Sequence, residues 1–289
     1  MVGKRPPNEP RPLGATEAER CGARARAIAA GPADRYLSEL LGHSLGGTRG
    51  EWIESEIATL LDDPVGCLRA VYGRYAFARR GKERKALADL ATGALDAALS
   101  DGRPLANLSI EDVWRNYCEA SEAAGRKAAP DLNRGVVVGL AGFAQAIAQE
   151  SGTSLARYAA DCAKETGRIE SVFFDIVELR GVGPKVAATM LRDWIFVFGV
   201  EERVAHRDSI YLQPIDRWMR AAAPYLLEDT GSDAFPDWIL AGKLGKAARA
   251  AGVSGIRLNM GVCWLGLEAS AHPAPEGRFL ELLGRLTPH

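Results

Sequence analysis

The chain has 289 residues, enough for one large or two ordinary domains with a real core. Its 47% hydrophobic and 25% charged residues are those of a soluble globular protein. Lys and Arg number 36 against 37 Asp and Glu, a net charge of −1, which excludes bulk electrostatic attraction to a polyanion; any nucleic-acid contact must rest on a local basic patch.

Residues 1–16 are proline-rich and lack the apolar stretch of a signal peptide, so a disordered leader is expected there. Helical periodicity then dominates. It predicts helices over 17–30, 34–41, 51–62, 64–78, 83–99, 109–123, 133–150, 154–166 and 169–179, and again over 184–198, 215–227, 236–251, 255–268 and 276–285. The fold class is therefore all-α. Ser109-Ile-Glu-Asp112 has the pattern of a helix start, Asp131-Leu-Asn133 is read as opening the next helix, and Asp101-Gly-Arg-Pro104 marks a turn. Gly42-His-Ser44-Leu-Gly46 fits the nucleophile elbow of α/β-hydrolases. It has no preceding strands, and a glycine-rich helix terminus explains it better. Trp194–Val200 is the longest apolar run, too short to span a membrane.

Arg79-Arg-Gly-Lys-Glu-Arg-Lys85 sets five basic residues against one acid. Arg79, Arg80 and Lys82 are candidates for phosphate contact, the plainer alternative being a solvated helix start. The five cysteines, at 21, 67, 118, 162 and 263, show no metal-ligand spacing. Neither a structural zinc nor a cysteine-held cluster is expected, and scattered thiols suit a reducing cytoplasm.

Leu179-Arg-Gly-Val-Gly-Pro-Lys185 reads as a helix end, a tight turn and a helix start. Gly181 and Gly183 are read as supplying positive φ or close backbone approach, and Pro184 suits the first helical turn. Backbone N–H groups of Gly181, Val182 and Gly183, with the helix N-terminus beyond them, would form a site for one DNA phosphate. Downstream, Pro214-Ile-Asp216-Arg-Trp218 reads as a turn opening another helix. The intervening 199–208 reads as a polar surface loop, and Asp193 and Asp208 as solvated charges. Lys243, Lys246 and Arg249 share one helical face, most simply an ordinary surface. Trp264 is read either as core or as a stacking platform for a base.

The two motifs resemble the helix-hairpin-helix/Gly-Pro-Asp superfamily of DNA base-excision glycosylases, which includes endonuclease III and the 8-oxoguanine glycosylases. The resemblance implies a lysine nucleophile at Lys185 and a catalytic carboxylate at Asp216. Their separation of 31 residues is longer than in most members and comparable to that in the archaeal 8-oxoguanine branch. It further implies two helical lobes with a cleft between them. Residues 51–198 would be a helical barrel ending in the hairpin, 17–50 with 206–289 a lobe carrying Asp216, and 199–205 a linker. Asn259-Met-Gly-Val-Cys-Trp264 resembles the pocket helix of the family, which makes Asn259 and Trp264 candidates for the base pocket.

The implied chemistry is concrete. A base is extruded from the duplex, an unprotonated amine attacks C1′ of its sugar, and a carboxylate stabilises the positive charge developing there. Purely hydrolytic alkyl-base glycosylases resemble the family but lack the lysine, so Lys185 implies a glycosylase with AP-lyase activity on an oxidised base, foremost 8-oxoguanine. The expected partner is double-stranded DNA carrying a damaged base. No cofactor, metal or membrane is expected to take part, and a monomer associated with the nucleoid in the cytoplasm is the expected form. The alternative is a non-catalytic helix-hairpin-helix DNA-binding protein.

Overall fold

The computed structural model describes residues 15–42, 54–78, 80–227, 231 and 234–286. Among these the fold is all-α, without a strand. In chain order the helices are α1 (Ala15–Ala29), α2 (Gly31–Arg35), α3 (Glu54–Asp62), α4 (Pro64–Val71), α5 (Arg84–Ala98), α6 (Ile110–Ala123) and α7 (Pro130–Ser151). They continue with α8 (Leu155–Thr166), α9 (Glu170–Glu178), α10 (Pro184–Val197), α11 (Arg217–Leu227), α12 (Asp237–Ala250), α13 (Gly255–Ser270) and α14 (Pro275–Arg285). Most of the 1–16 leader, His43–Gly46 and Arg79 lie outside the described residues.

Local chemistry accounts for the helix starts. The side chains of Asp63, Ser109, Ser154 and Ser254 accept hydrogen bonds from Val65, Asp112, Arg157 and Arg257 N–H, satisfying donors that no helical carbonyl can reach. Prolines open α4, α7, α10 and α14, where a missing N–H costs nothing. One expected start moves. Asn133 does not cap α7, which begins at Pro130 behind a left-handed Ala129. Asn133 lies within the first turns, donating to Ala128 O at 2.9 Å and accepting from Arg80 Nη2 at 3.3 Å.

The chain divides into two compact units. The described residues of Met1–Tyr36 and Ile215–His289 form one, and those of Leu37–Pro214 form the other. The sequence expectation set the boundaries near 50 and 206, with 199–205 as a linker; the seams fall instead at 36/37 and 214/215.

In the smaller unit α13 is the central element, burying Ile256, Leu258, Met260, Val262, Leu265 and Ala269. Two of its glycines are close-approach positions. A Cβ at Gly261 would stand 2.2 Å from Ile28 O on α1, and one at Gly266 would stand 2.2 Å from the Trp218 indole.

In the larger unit α10 is buried nearly all round, by Ala187, Met190, Leu191, Trp194 and Ile195 among others. At its centre lies Asp193, expected at the surface and in fact fully buried. Its Oδ1 accepts from Arg192 Nε at 2.9 Å and Nη2 at 2.7 Å, and its Oδ2 from Arg74 Nε at 3.0 Å and Tyr75 Oη at 2.9 Å. Burial pushes this carboxyl upward, but Arg192 and Arg74 and the hydrogen bonds from Arg192 and Tyr75 outweigh it, holding it below the ordinary carboxylate range.

The segment 199–208, expected as a polar surface loop, is more structured than that, as are the residues directly after it. They form two short 3₁₀ turns, Glu201–Arg203 and His206–Leu212, and Asp208 is buried. Its carboxylate accepts from Ile169 N–H at 2.9 Å, Glu170 N–H at 3.2 Å and Arg168 Nε at 2.9 Å. A residue some forty positions downstream thus caps the N-terminus of α9. The segment is latched again by Ala205 N–H donating to Gly167 O at 2.8 Å. This is the physical reason that 199–214 belongs with α3–α10.

Replacing Asp193 by Asn removes the charge between two buried guanidiniums and should destabilise the fold by about 3–5 kcal/mol in urea denaturation. Because the native carboxyl is depressed, its stabilising contribution is complete at neutral pH and disappears as the pH falls through and below the carboxylate range. Asp193→Asn should therefore also flatten the acid limb of the stability profile. A variant as stable as the wild type, with an unchanged acid limb, would contradict this account.

Candidate functional site

The stretch between α9 and α10 is a five-residue turn, Leu179–Gly183. Leu179 N–H donates to Ile176 O at 3.2 Å, and Val182 N–H donates to Leu179 O at 2.9 Å, closing the turn. Gly181 has φ +89°, and a Cβ there would stand 2.4 Å from Val136 Cγ2 of α7. Glycine is required twice over at this position. Next to it the Arg180 side chain crosses Gly135, where a Cβ would meet Arg180 Cβ and Cγ at 2.8 Å, and Leu179 lies over Gly139. The turn is thus seated on a strip of α7 whose glycines stand four residues apart. The i, i+4 spacing of Gly135 and Gly139 is the sequence signal of this support.

Gly183 does not supply positive φ, one of the two roles expected of it. Its φ of −99° and ψ of 170° are extended values open to any residue. Val182 differs too: its side chain is buried and its N–H is occupied by the Leu179 carbonyl. The N–H groups of Arg180, Gly181 and Gly183 make no hydrogen bond to another described backbone group, so these three are the turn's available backbone donors, and the two glycines flank the start of α10 most closely.

Gly183 caps α10 and Pro184 opens it, which puts Lys185 in the first turn of the helix. The Lys185 side chain is exposed, and its carbonyl accepts from Thr189 Oγ1 at 2.8 Å. Asp216 stands at the start of the other unit, half-buried. Its Oδ1 accepts from Trp218 N–H at 3.0 Å and Met219 N–H at 2.9 Å, so the carboxylate caps α11. The following Trp218 is fixed on both faces of the motif: it packs on Gly266, stacks at a tilt on Phe279 with centroids 4.9 Å apart, and carries the Arg217 guanidinium 4.3 Å above its ring. Lys185 and Asp216 belong to separate units.

Of the basic run, Arg80 is partly engaged with Asn133, Arg84 donates to Arg74 O at 2.6 Å, and Lys85 pairs with Asp89 at 2.7 Å. Lys82 is exposed on the 3₁₀ turn Gly81–Glu83. Among the described basic residues of the run, Arg80 and Arg84 are thus tied into the fold. Asn259 and Trp264 lie five positions apart on α13, about 140° around the helix, and do not share a face. Asn259 is buried; Trp264 is half-buried under the Arg35 guanidinium, 5.4 Å from its ring, and its Nε1 is sealed from solvent without a hydrogen-bond partner.

Beside the turn runs an open groove of about 500 Å³, lined by Pro130, Asp131, Arg134, Glu178, Leu179 and Arg180 among others. Its two arginines face two carboxylates, so its charge is balanced and it is no anion site in itself.

Comparison with protein-family models, curated proteins and solved structures finds no match for this chain.

The turn geometry has a direct consequence for stability. Gly181→Ala should cost about 1–3 kcal/mol through left-handed strain, with the Val136 contact added to it, whereas Gly183→Ala should stay within about 0.5 kcal/mol of the wild type. Thermal or urea unfolding of the two variants checks this; equal effects at both positions would contradict it.

Proposed function

We propose that this chain is a base-excision DNA glycosylase with AP-lyase activity, acting on duplex DNA that carries an oxidised base, with 8-oxoguanine the foremost substrate. In this reading α9, the turn Leu179–Gly183 and α10 act as a helix-hairpin-helix. The observation that carries the reading is an exposed lysine in the first turn of a helix, directly after a turn whose conformation only Gly181 can adopt. The Gly181 and Gly183 N–H groups and the positive end of the α10 dipole would hold one phosphate, fixing the strand without reading its sequence. Arg80 and Lys82 would meet the backbone elsewhere.

With the damaged nucleotide extruded, the unprotonated Lys185 Nζ attacks C1′ and the C1′–N bond breaks, the base leaving with the bonding electrons and taking a proton. The Asp216 carboxylate stabilises the cationic sugar. Ring opening gives a Schiff base between Nζ and C1′. Loss of a C2′ proton then expels the 3′ phosphate, and water releases the lysine.

The test is borohydride trapping on duplex DNA containing 8-oxoguanine or an abasic site. Lys185→Gln should abolish the trapped adduct and strand cleavage while leaving the affinity for lesion DNA within a few-fold of the wild type. Asp216→Asn is the chosen comparison, because asparagine retains the Oδ1 acceptor that caps α11 while removing the charge. It should lower excision by about 100-fold or more. Binding to both duplexes without any adduct from the wild type would instead make the chain a non-catalytic DNA-binding protein. In that case Lys185→Gln should weaken binding and reduce its salt slope.

A further inference from the structure

Helix α12 carries a surface that the proposed chemistry does not use. It buries Leu240, Ala241, Leu244, Gly245 and Ala248 against its own unit. On the opposite side lie Trp238, Lys243, Lys246 and Arg249, within an arc of about 140°, and all four are exposed. Trp238 is 67% exposed, the most exposed large apolar side chain among the described residues.

The arc contains no carboxylate. Asp237, the acid at the helix start, is paired with Arg220. None of the three cations forms an ion pair with a described carboxylate, in a chain that pairs many of its surface arginines, Arg69 with Asp96 and Arg134 with Glu111 among them. Lys243 instead lies 4.7 Å from the Phe235 ring centroid. An all-cationic strip headed by a bare indole stands out on a chain whose net charge is −1.

We infer that the outward face of α12 is a second nucleic-acid contact, one that holds a single-stranded stretch, with Lys243, Lys246 and Arg249 against phosphates and Trp238 stacked on an unpaired base. The three cations follow one another at about 4.5 Å along the helix axis, close to the roughly 3.4 Å per nucleotide of a stacked strand. An indole face gains by stacking on a base only where that base is not already stacked in a duplex, which selects single-stranded partners. A membrane surface fits less well. Membrane-bound helices sink a broad apolar face into the lipid, and the apolar face of α12 is spent on its own core. The inference does not rest on the glycosylase reading, since a non-catalytic chain would carry the same strip.

The test is fluorescence anisotropy of a short labelled oligo(dT) across a salt series. The wild type should bind, and the triple variant Lys243→Gln, Lys246→Gln, Arg249→Gln should bind at least tenfold more weakly, with a salt slope shallower by about 2. Trp238→Ala should weaken binding by about fivefold or more at unchanged slope, and Trp238→Phe should restore most of it. Because the four side chains are exposed, the melting temperatures should match the wild type. Failure of the wild type to bind oligo(dT), or equal binding by all variants, would overturn the inference. So would loss of binding to vesicles rich in anionic lipid while oligo(dT) binding stays intact. Oligo(dT) binding by a wild type that yields no borohydride adduct would remove the excision chemistry and leave this strip standing, so the two failures are separately visible.

Discussion

The carboxylate of Asp193 sets the position of α10, and α10 in turn presents Lys185. A carboxylate removed from water costs several kcal/mol unless its lone pairs are met by charged donors. Here Arg192 donates to one oxygen, and Arg74 and Tyr75 donate to the other. Arg74 and Tyr75 belong to the helical turn Tyr72–Ala76, so the network ties the C-terminal half of α10 to the turn that follows α4. Eight residues separate Asp193 from Lys185, about 12 Å of a stiff helix. The exposed amine thus stands at the end of a rod anchored in the core, which suits a nucleophile that must meet a carbon atom within narrow limits.

The other side of the turn is fixed by a second buried carboxylate. Asp208 caps α9 from outside its own helix, and Tyr211, three residues on, donates to Glu170 Oε1 at 3.0 Å and packs on Phe173 with centroids 4.7 Å apart. Between these two anchors, Leu179, Arg180 and Gly181 rest on the glycine strip of α7. Asp193, Asp208 and Val136 touch no part of the proposed chemistry, yet each determines where the turn and Lys185 stand.

Much of this was readable from sequence because it is local. The helices follow apolar periodicity, and the Ser109 start, the Pro184 opening and the turn before it depend on residues within a few positions of each other. The misreadings of the two aspartates have one physical origin. Asp193 and Asp208 look like surface acids because aspartate usually is one, and their partners Arg74 and Arg168 lie 119 and 40 positions away. Gly183 resembles Gly181 in sequence, and only the backbone separates the glycine that must be left-handed from the one that is merely extended. The exposure of Trp238 had no sequence signal, since an aromatic at the start of a helix is ordinarily core.

The central claim is that the amine of one residue becomes covalently joined to C1′ of damaged DNA. The most direct measurement is to reduce the complex of the unmodified chain with 8-oxoguanine duplex using borohydride, digest it, and locate the sugar-modified residue by mass spectrometry. The account predicts the adduct on the peptide containing Pro184-Lys185-Val186, and on Lys185 within it. An adduct on any other lysine, or on the N-terminal amine, would contradict it.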